Sequence, residues 1–590
     1  MFIGCNGAPL VDNIILPEAR TVKFHDPAQL PPAKIPDAPP PRTVADSKPN
    51  EPQWQLSLDD AIRCALENAK VIRVLAGLTA TTSGQTIYDP AITNTTIDQE
   101  QARFDPVFTA NNHWARTETP TAVSDPLDPT RTFILGSSAD TFRSEVGVSQ
   151  TNVLGGQTSF NYVTNPTRFG GLGVAPLNPQ NNSAFELNYT QPLLQGGGFQ
   201  VNTAPIVIAR LNTSRSYFQY KDSVQELVRS VIEGYWNLVQ ARTDAWARKI
   251  QVQQSQAAFE REQARLESGL ADLKNVVQAR ATYTQFKAAL IAADANVLAR
   301  EGALRNLLGL PPEDCRQLVP VSPPTVVRLR PDWCPLVRLA AERRPDVVEL
   351  KLVLEADRVR RLQAENQALP RLDAVGQYRW NGLDGTMPSG DRLATGGGQF
   401  TDWTLGLNFS VPLGLRQGRA QVRQQSLLIW KDQANVDQSV HAAVHELAAT
   451  IRDLDSAYEQ YRALSEARAA AFENLKVQNE QFRFERAIYL NVLQALNDWG
   501  NAVSAEAQAL LSYNIALATL ERQTGTILET HGLVFVEERF RAAGPLGILG
   551  SEREYPEAMV PSGVIPRYLT SPVPSEQSFD LRNPDPHAPK

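Results

Sequence analysis

No apolar run in the 590-residue chain approaches the ~18 residues of a membrane-spanning helix; Ala288–Ala293 is among the longest. A bilayer, if this chain crosses one, must therefore be crossed on strands, because only helices and closed barrels satisfy their backbone in lipid. Basic excess is also missing. Lys+Arg number 57 against 64 Asp+Glu, a net charge of −7, so nucleic acid is not an expected partner. Four cysteines, none in a paired C-x-x-C, are too few for a disulfide scaffold or a structural zinc site. There is no G-x-x-x-x-G-K-[ST] phosphate loop, no H-E-x-x-H and no discernible pairing of nucleophile and base, so no enzyme and no cofactor are expected. His441 and His445 lie four apart with Glu446 adjacent, a spacing able to hold a metal, but no third ligand follows.

The few cysteines differ in context. Phe2-Ile3-Gly4-Cys5 has the order of a bacterial lipoprotein signal end, an apolar and a small residue before the acylated cysteine, although no apolar stretch precedes it. Cys5 is accordingly the expected lipid anchor. Cys315 and Cys334 share one Pro-rich linker and are the candidate disulfide of an oxidising compartment. Cys64 reads as a small apolar helix residue.

Proline marks the boundaries. Residues 6–52 hold eleven prolines and little periodicity, as an extended, poorly packed arm would, and 541–590 is similar. Pro311, Pro312, Pro320, Pro323, Pro324, Pro331 and Pro335 cluster between two halves that repeat the same parts. Tyr189-Thr190-Gln191-Pro192 recurs as Phe409-Ser410-Val411-Pro412, and Asn275-Val276-Val277-Gln278-Ala279 as Asn491-Val492-Leu493-Gln494-Ala495. The expected division is an arm at 1–55, a first repeat at 56–310, a linker at 311–334, a second repeat at 335–530 and a tail at 531–590.

Each repeat opens on a helix. Ser57, an N-cap with Asp60 three residues on, starts the first, and its counterpart is expected from about Pro335 to Leu369. Strands follow at about 105–117, 142–151, 156–165, 183–191, 371–380 and 402–411. In Trp403–Val411 every odd position is apolar and every even one small or polar. Strands so rich in aromatics, with no adjacent helix to pack on, suit a barrel with lipid outside and water inside. Between Gly418 and Gly500 the chain has neither glycine nor proline. There Val440, Val444, Leu447, Ile451, Leu454, Tyr458 and Tyr461 alternate steps of four and three, as do Val224, Leu227, Val231, Gly234, Leu238, Ala241 and Ala245. That is the 3.5-residue period of a supercoiled seam, and a helix over 414–483 would be roughly 100 Å long. A soluble coiled coil shows the same stripes; the strands argue against one. So few strands cannot enclose water alone, so several copies are expected to close a barrel together.

Three segments carry a resemblance to the TolC family of outer-membrane efflux ducts: Leu56-Ser57-Leu58-Asp59-Asp60-Ala61-Ile62, Thr190-Gln191-Pro192-Leu193-Leu194-Gln195-Gly196-Gly197, and Gly269-Leu270-Ala271-Asp272 before Asn275-Val276-Val277-Gln278-Ala279-Arg280. The resemblance covers roughly 56–310 and 335–530. It implies an α+β membrane protein: a homotrimer whose shared twelve-stranded outer-membrane β-barrel continues into a periplasmic α-helical coiled-coil barrel. It further implies a periplasmic adaptor and an inner-membrane transporter as partners, since a duct has no energy source. The function expected is a passive exit duct for small molecules; the alternative is a non-conducting structural or adhesive envelope protein. The hairpin at about 142–165 has no counterpart in the second repeat and either enlarges the barrel or projects from it.

Two departures from the family pattern bear on mechanism. Where the resemblance places a ring of aspartates at the periplasmic constriction, this chain has Asn491 and Gln494, matched by Asn275 and Gln278 in the first repeat. Amides carry no net charge, so weaker cation selectivity is expected there, unless Asp272 or Glu485 substitutes. The tips implied to dock the adaptor are Ser268, Gly269, Leu270 and Asp272 in the first hairpin and Arg486, Ala487 and Ile488 in the second. The second tip is shorter and lacks glycine, so it is either an unequal docking site or a continuous kinked helix.

Overall fold

The computed structural model describes residues 39–46, 51–125, 127–171, 175–269, 272–484, 486, 488–533, 571–579 and 581. The first half runs β1 (Gln53–Leu56), α1 (Leu58–Glu67), β2 (Val71–Ala76), β3 (Thr79–Thr86) and α2 (Asp89–Gln101). Four strands follow, β4 (Val107–Ser124), β5 (Thr132–Thr151), β6 (Gln157–Gly170) and β7 (Gln180–Pro192), then helices α3 (Phe199–Glu267) and α4 (Leu273–Leu307). After β8 (Gln317–Pro320), the second half runs α5 (Trp333–Arg343), α6 (Pro345–Gln367), β9 (Arg371–Thr386), β10 (Arg392–Ala394), β11 (Phe400–Ser410), α7 (Arg416–Arg483), α8 (Tyr489–Gln523) and α9 (Ile527–Thr530).

Helix α1 starts as the sequence predicts. Ser57 Oγ accepts from Asp60 N at 3.1 Å and donates to its carboxylate at 2.6 Å, while Leu58, Ala61, Ile62 and Ala65 are buried. The counterpart in the second half is two helices rather than one. Pro345 forces Arg344 into an extended conformation (φ −60°, ψ 125°), so α5 ends there and α6 begins with proline in its first turn.

Helices α3 and α7 contain 69 and 68 residues, so each is about 100 Å long. Along its half nearest the strands, α3 is covered by α2 and α6; Arg215 pairs with Glu349 at 2.9 Å and Thr213 Oγ1 donates to the carbonyl of Thr93. Along its far half α3 packs on α4, closely enough that a Cβ on Gly234 would sit 3.1 Å from Leu307 Cδ1. Val224, Leu227, Val231, Leu238 and Ala241 of the predicted seam are buried in this packing. Helices α7 and α8 form the equivalent far hairpin, and Ala247, Phe286, Leu475, Leu496 and Trp499 tie the two hairpins into one core.

A small belt lies against the rods midway. Parallel strands β1 and β8 pair there, and Tyr235 of α3 stitches them, donating to the carbonyl of Leu56 at 3.0 Å and accepting from the amides of Val321 and Ser322. Burial pushes the Tyr235 hydroxyl's pKa up. The linker then runs along α8: Thr325 N donates to Asn514, Leu329 N donates to Tyr513 Oη, and the Tyr513 hydroxyl donates to the carbonyl of Val327. This clamped run separates Cys315 from Cys334. The disulfide anticipated between them is not formed, and both thiols are free and exposed.

Parts of the proline-rich ends are packed, contrary to the expectation of loose arms. Arg42 bonds Glu301 at 2.5 Å and Glu313 at 2.8 Å, beside Arg305, which is 1% exposed and holds Glu301 and Asp314. A short helical turn at Ser575–Phe579 lies against α3 and α7: Glu576 pairs with Arg242 at 2.7 Å, Arg468 donates to the carbonyl of Phe579, and the Phe579 ring is buried. A few long-range ion pairs and one aromatic anchor do this, and they leave no periodicity to read. Cys5 lies outside the described residues.

The main sheet has seven strands, with long strands in the order β4-β5-β6-β7-β9-β11, every neighbouring pair antiparallel, and β10 beside the end of β9. The hairpin β5–β6 therefore stands inside the sheet. A barrel of twelve strands would take four from each of three chains, whereas this chain presents six long ones.

Candidate functional site

Directly opposed residues run straight across all six strands. Phe108, Val148, Phe160, Leu187, Tyr378 and Trp403 form one row; Ala110, Val146, Tyr162, Phe185, Trp380 and Thr401 form a second on the same face. The intervening rows point to the other face: Val107, Ser149, Ser159, Asn188, Gln377 and Thr404, then Thr109, Gly147, Asn161, Glu186, Arg379 and Asp402. Strand side chains alternate between faces, so one surface is aromatic and the other polar. Glu186 and Arg379 pair at 3.2 Å on the polar surface. Ring contacts reinforce the apolar one, with Tyr162 and Phe185 centroids 4.6 Å apart and Tyr378 and Trp380 4.5 Å apart. An exposed aromatic surface this large marks a contact with lipid or protein.

The far hairpins end in two different turns. In the first, Gly269 takes φ +73°, the left-handed conformation that ends a helix, and Ser268 Oγ donates to the carbonyl of Ala264. Asp272 then opens α4; Leu270 lies outside the described residues. In the second, α7 stops at Arg483, Arg486 N donates to the carbonyl of Gln481, and Ile488, 65% exposed, precedes α8. The second tip is thus a turn and not a continuous kinked helix. Ala487 and Glu485 lie outside the described residues.

Asn275, Gln278, Asn491 and Gln494 are all exposed on the helices just after these turns. On α8 the pattern extends further than sequence reading found: Asn491, Gln494, Asp498, Asn501, Gln508 and Ser512 are exposed, while Val492, Leu496, Trp499 and Val503 are buried. With the half-buried Ala505, these positions alternate steps of three and four, a polar stripe with the period of the apolar seam behind it. Asp498 is its one carboxylate, and Gln494 Nε2 donates to it at 2.9 Å. Asn501 accepts from Arg248 of α3 at 3.0 Å. The apolar half of the heptad marks the seam; the complementary polar half carries Asp498.

One arginine fastens the rods near the belt. Arg344, at the break between α5 and α6, bonds Glu446 of α7 and Asp346, both at 2.8 Å, and Gln523 of α8. Burial opposes its charge, but the hydrogen bonds and charges of Asp346 and Glu446 outweigh that and raise the pKa of the guanidinium further. Nearby, burial raises the Asp222 carboxyl despite Arg522 at 3.4 Å. His441 and His445 meet edge to face on the exposed side of α7, ring centres 4.5 Å apart, and among the described residues no group of ligands forms a metal site.

The profile of the family described as outer membrane efflux protein matches residues 175–310 and 336–526, from the segment before β7 onward. Among curated protein sequences none matches. The fold is similar to solved outer-membrane channels at low identity. For Campylobacter jejuni CmeC the identity is 14% and the TM-score 0.52, covering 84% of this chain and 94% of that one. The open state of Neisseria gonorrhoeae MtrE gives 16% and 0.51, covering 84% and 98%, and Vibrio cholerae VceC gives 15% and 0.51, covering 79% and 96%. These likenesses establish the fold, and the profile, spanning more than half of the chain, establishes the lineage: the chain belongs to the outer membrane efflux protein family.

Proposed function

We propose that three copies join their sheets and rods into one water-filled duct, a passive exit route for small molecules across the periplasm and outer membrane. The observation that carries this reading is the two-faced sheet, aromatic on one side and polar on the other across every strand, continuous with rods about 100 Å long. A soluble protein would bury the aromatic face; in this chain Trp114 and Trp403 are 72% and 68% exposed. Energy would come from an inner-membrane transporter through a periplasmic adaptor docked at Ser268, Gly269, Leu270, Asp272, Arg486, Ala487 and Ile488. The two unlike turns give that adaptor two unlike surfaces. Cys5 would anchor the arm to lipid.

At the periplasmic end the polar stripe of α8 would face the axis, placing Asn491 and Gln494 outermost and a ring of Asp498 one turn inward. Amides first and a carboxylate ring behind them make a weak cation filter. Single-channel recording of the purified trimer in a planar bilayer tests the reading. Ion conduction is expected; a detergent-free soluble monomer with no conductance would falsify it.

A further inference from the structure

The two halves of the chain build their strands differently. In the second, β9 pairs directly with β11, the strand that leads into the long helix α7. In the first, β4 occupies the place of β9 and β7 the place of β11, but β5 and β6 stand between them. We propose that this inserted hairpin widens the outer-membrane pore: three copies contributing six long strands each close a barrel of eighteen, and the pore admits solutes too broad for a barrel of twelve. The proposal rests on the trimeric duct reading.

Three observations carry it. The opposed rows pass through β5 and β6 without interruption, Val148 and Phe160 on the aromatic side, Ser149 and Ser159 on the polar side. A hairpin projecting into water would have no reason to keep a lipid-type face in register with its neighbours. The free edges of the sheet are β4 and β11. Every residue of β11 is exposed, as is every residue of β4 except the half-buried Ala115. A strand edge left open is normally blunted by charge or proline. Here Phe400–Ser410 carries one charged residue, Asp402, and Val107–Ala115 carries none beyond His113; Arg116 and Glu118, further along β4, neutralise each other at 2.7 Å. Pro120, which cannot donate to a partner strand, comes only after that stretch.

Direction is the third observation. Five successive antiparallel junctions separate β4 from β11, so the two edges run oppositely and meet antiparallel when copies are placed in a ring, keeping the total strand number even. The occupant of each edge is therefore a second copy of this chain. Barrel diameter rises about linearly with strand number, so eighteen strands give about 1.5 times the width of twelve and roughly twice the open area. The wall would be weakly charged, since Glu186 lies against Arg379 and Arg143 has Glu145 at 3.7 Å, which leaves Asp402, opposite the same Arg379, as the surplus carboxylate of these rows. Selection by size and charge would then fall to the helical end.

Electron cryomicroscopy of the full-length protein in lipid nanodiscs, viewed down the axis, counts the strands. Eighteen are expected. A closed barrel of twelve with the hairpin outside overturns the proposal while leaving the duct intact; no closed barrel overturns both. Polymer exclusion gives a functional measure. A variant lacking residues 126–178, which joins β4 directly to β7, should admit polyethylene glycols of about 1.5-fold smaller radius from the outer side than the native protein. Equal cut-offs overturn the proposal, and if the variant does not assemble, the native strand count decides.

Discussion

Gln251 of α3 donates from Nε2 to the carbonyl of Leu496 at 3.2 Å, and it reaches that carbonyl over Gly500, where an added Cβ would come within 2.2 Å of the same nitrogen. The two far hairpins meet through a buried amide that only a glycine admits. Gly500→Ala should displace Gln251 and cost about 1–3 kcal/mol through lost hydrogen bonding and overpacking. Thermal unfolding followed by circular dichroism should show a lower midpoint. An unchanged midpoint would mean that the side chain relocates freely.

Asp498 is expected to set what cation preference the duct has. A carboxylate about 4 Å from a passing ion in water is worth about 1 kcal/mol, close to fivefold in local ion occupancy. Reversal potentials across a potassium chloride gradient should show Asp498→Asn losing about that much preference for potassium and Asn491→Asp gaining a similar factor. If Asp498→Asn leaves the potential where it was, the stripe does not face the axis.

The belt network should fail from one residue. Arg305→Met leaves Glu301 and Glu313 with Arg42, and Asp314 with the more exposed Arg316 alone, and breaking a buried ion pair typically costs about 3–5 kcal/mol. Denaturant melts of variant and native protein measure the difference. Stability within 1 kcal/mol of native would assign the network no structural weight.

Acid should weaken the same belt. Burial works against the charges of Glu313 and Asp314, but the hydrogen bonds and charges of Arg42 and Arg305 outweigh it, so both carboxyls are held below their ordinary 4.5 and 3.8. A carboxyl lowered on folding contributes fully above its unfolded value and loses that contribution as pH falls through its folded one. The melting temperature should therefore hold from neutral pH down to about 5 and drop below about 4.5. A midpoint rising on acidification below that point would contradict the assignment.

Much of this architecture was legible because burial imposes period. The seam from Val224 to Ala241, the Ser57 cap and the alternation of Trp403, Leu405, Leu407 and Phe409 each mark a side that must meet something apolar. Strand lengths were read short, since β4 and β5 extend to Ser124 and back to Thr132 through Thr, Ser and Pro residues without alternation. The break at Arg344 is not legible in sequence because Pro345 can begin a helix as readily as interrupt one. The disulfide expectation failed because shared membership of a linker says nothing about its path. Asp498 was overlooked for the opposite reason: an exposed polar position leaves no apolar trace.

The unbroken course of α7 has a mechanical meaning. Arg328 grips it at Asp455 and at Glu459, 2.8 Å away, and from there to Arg483 no glycine or proline softens the rod. That span is a lever of about 36 Å, so a swing of about 5° at its fulcrum carries the far tip roughly 3 Å sideways. A rod this stiff carries a movement at its fulcrum to its tip with no helix having to melt.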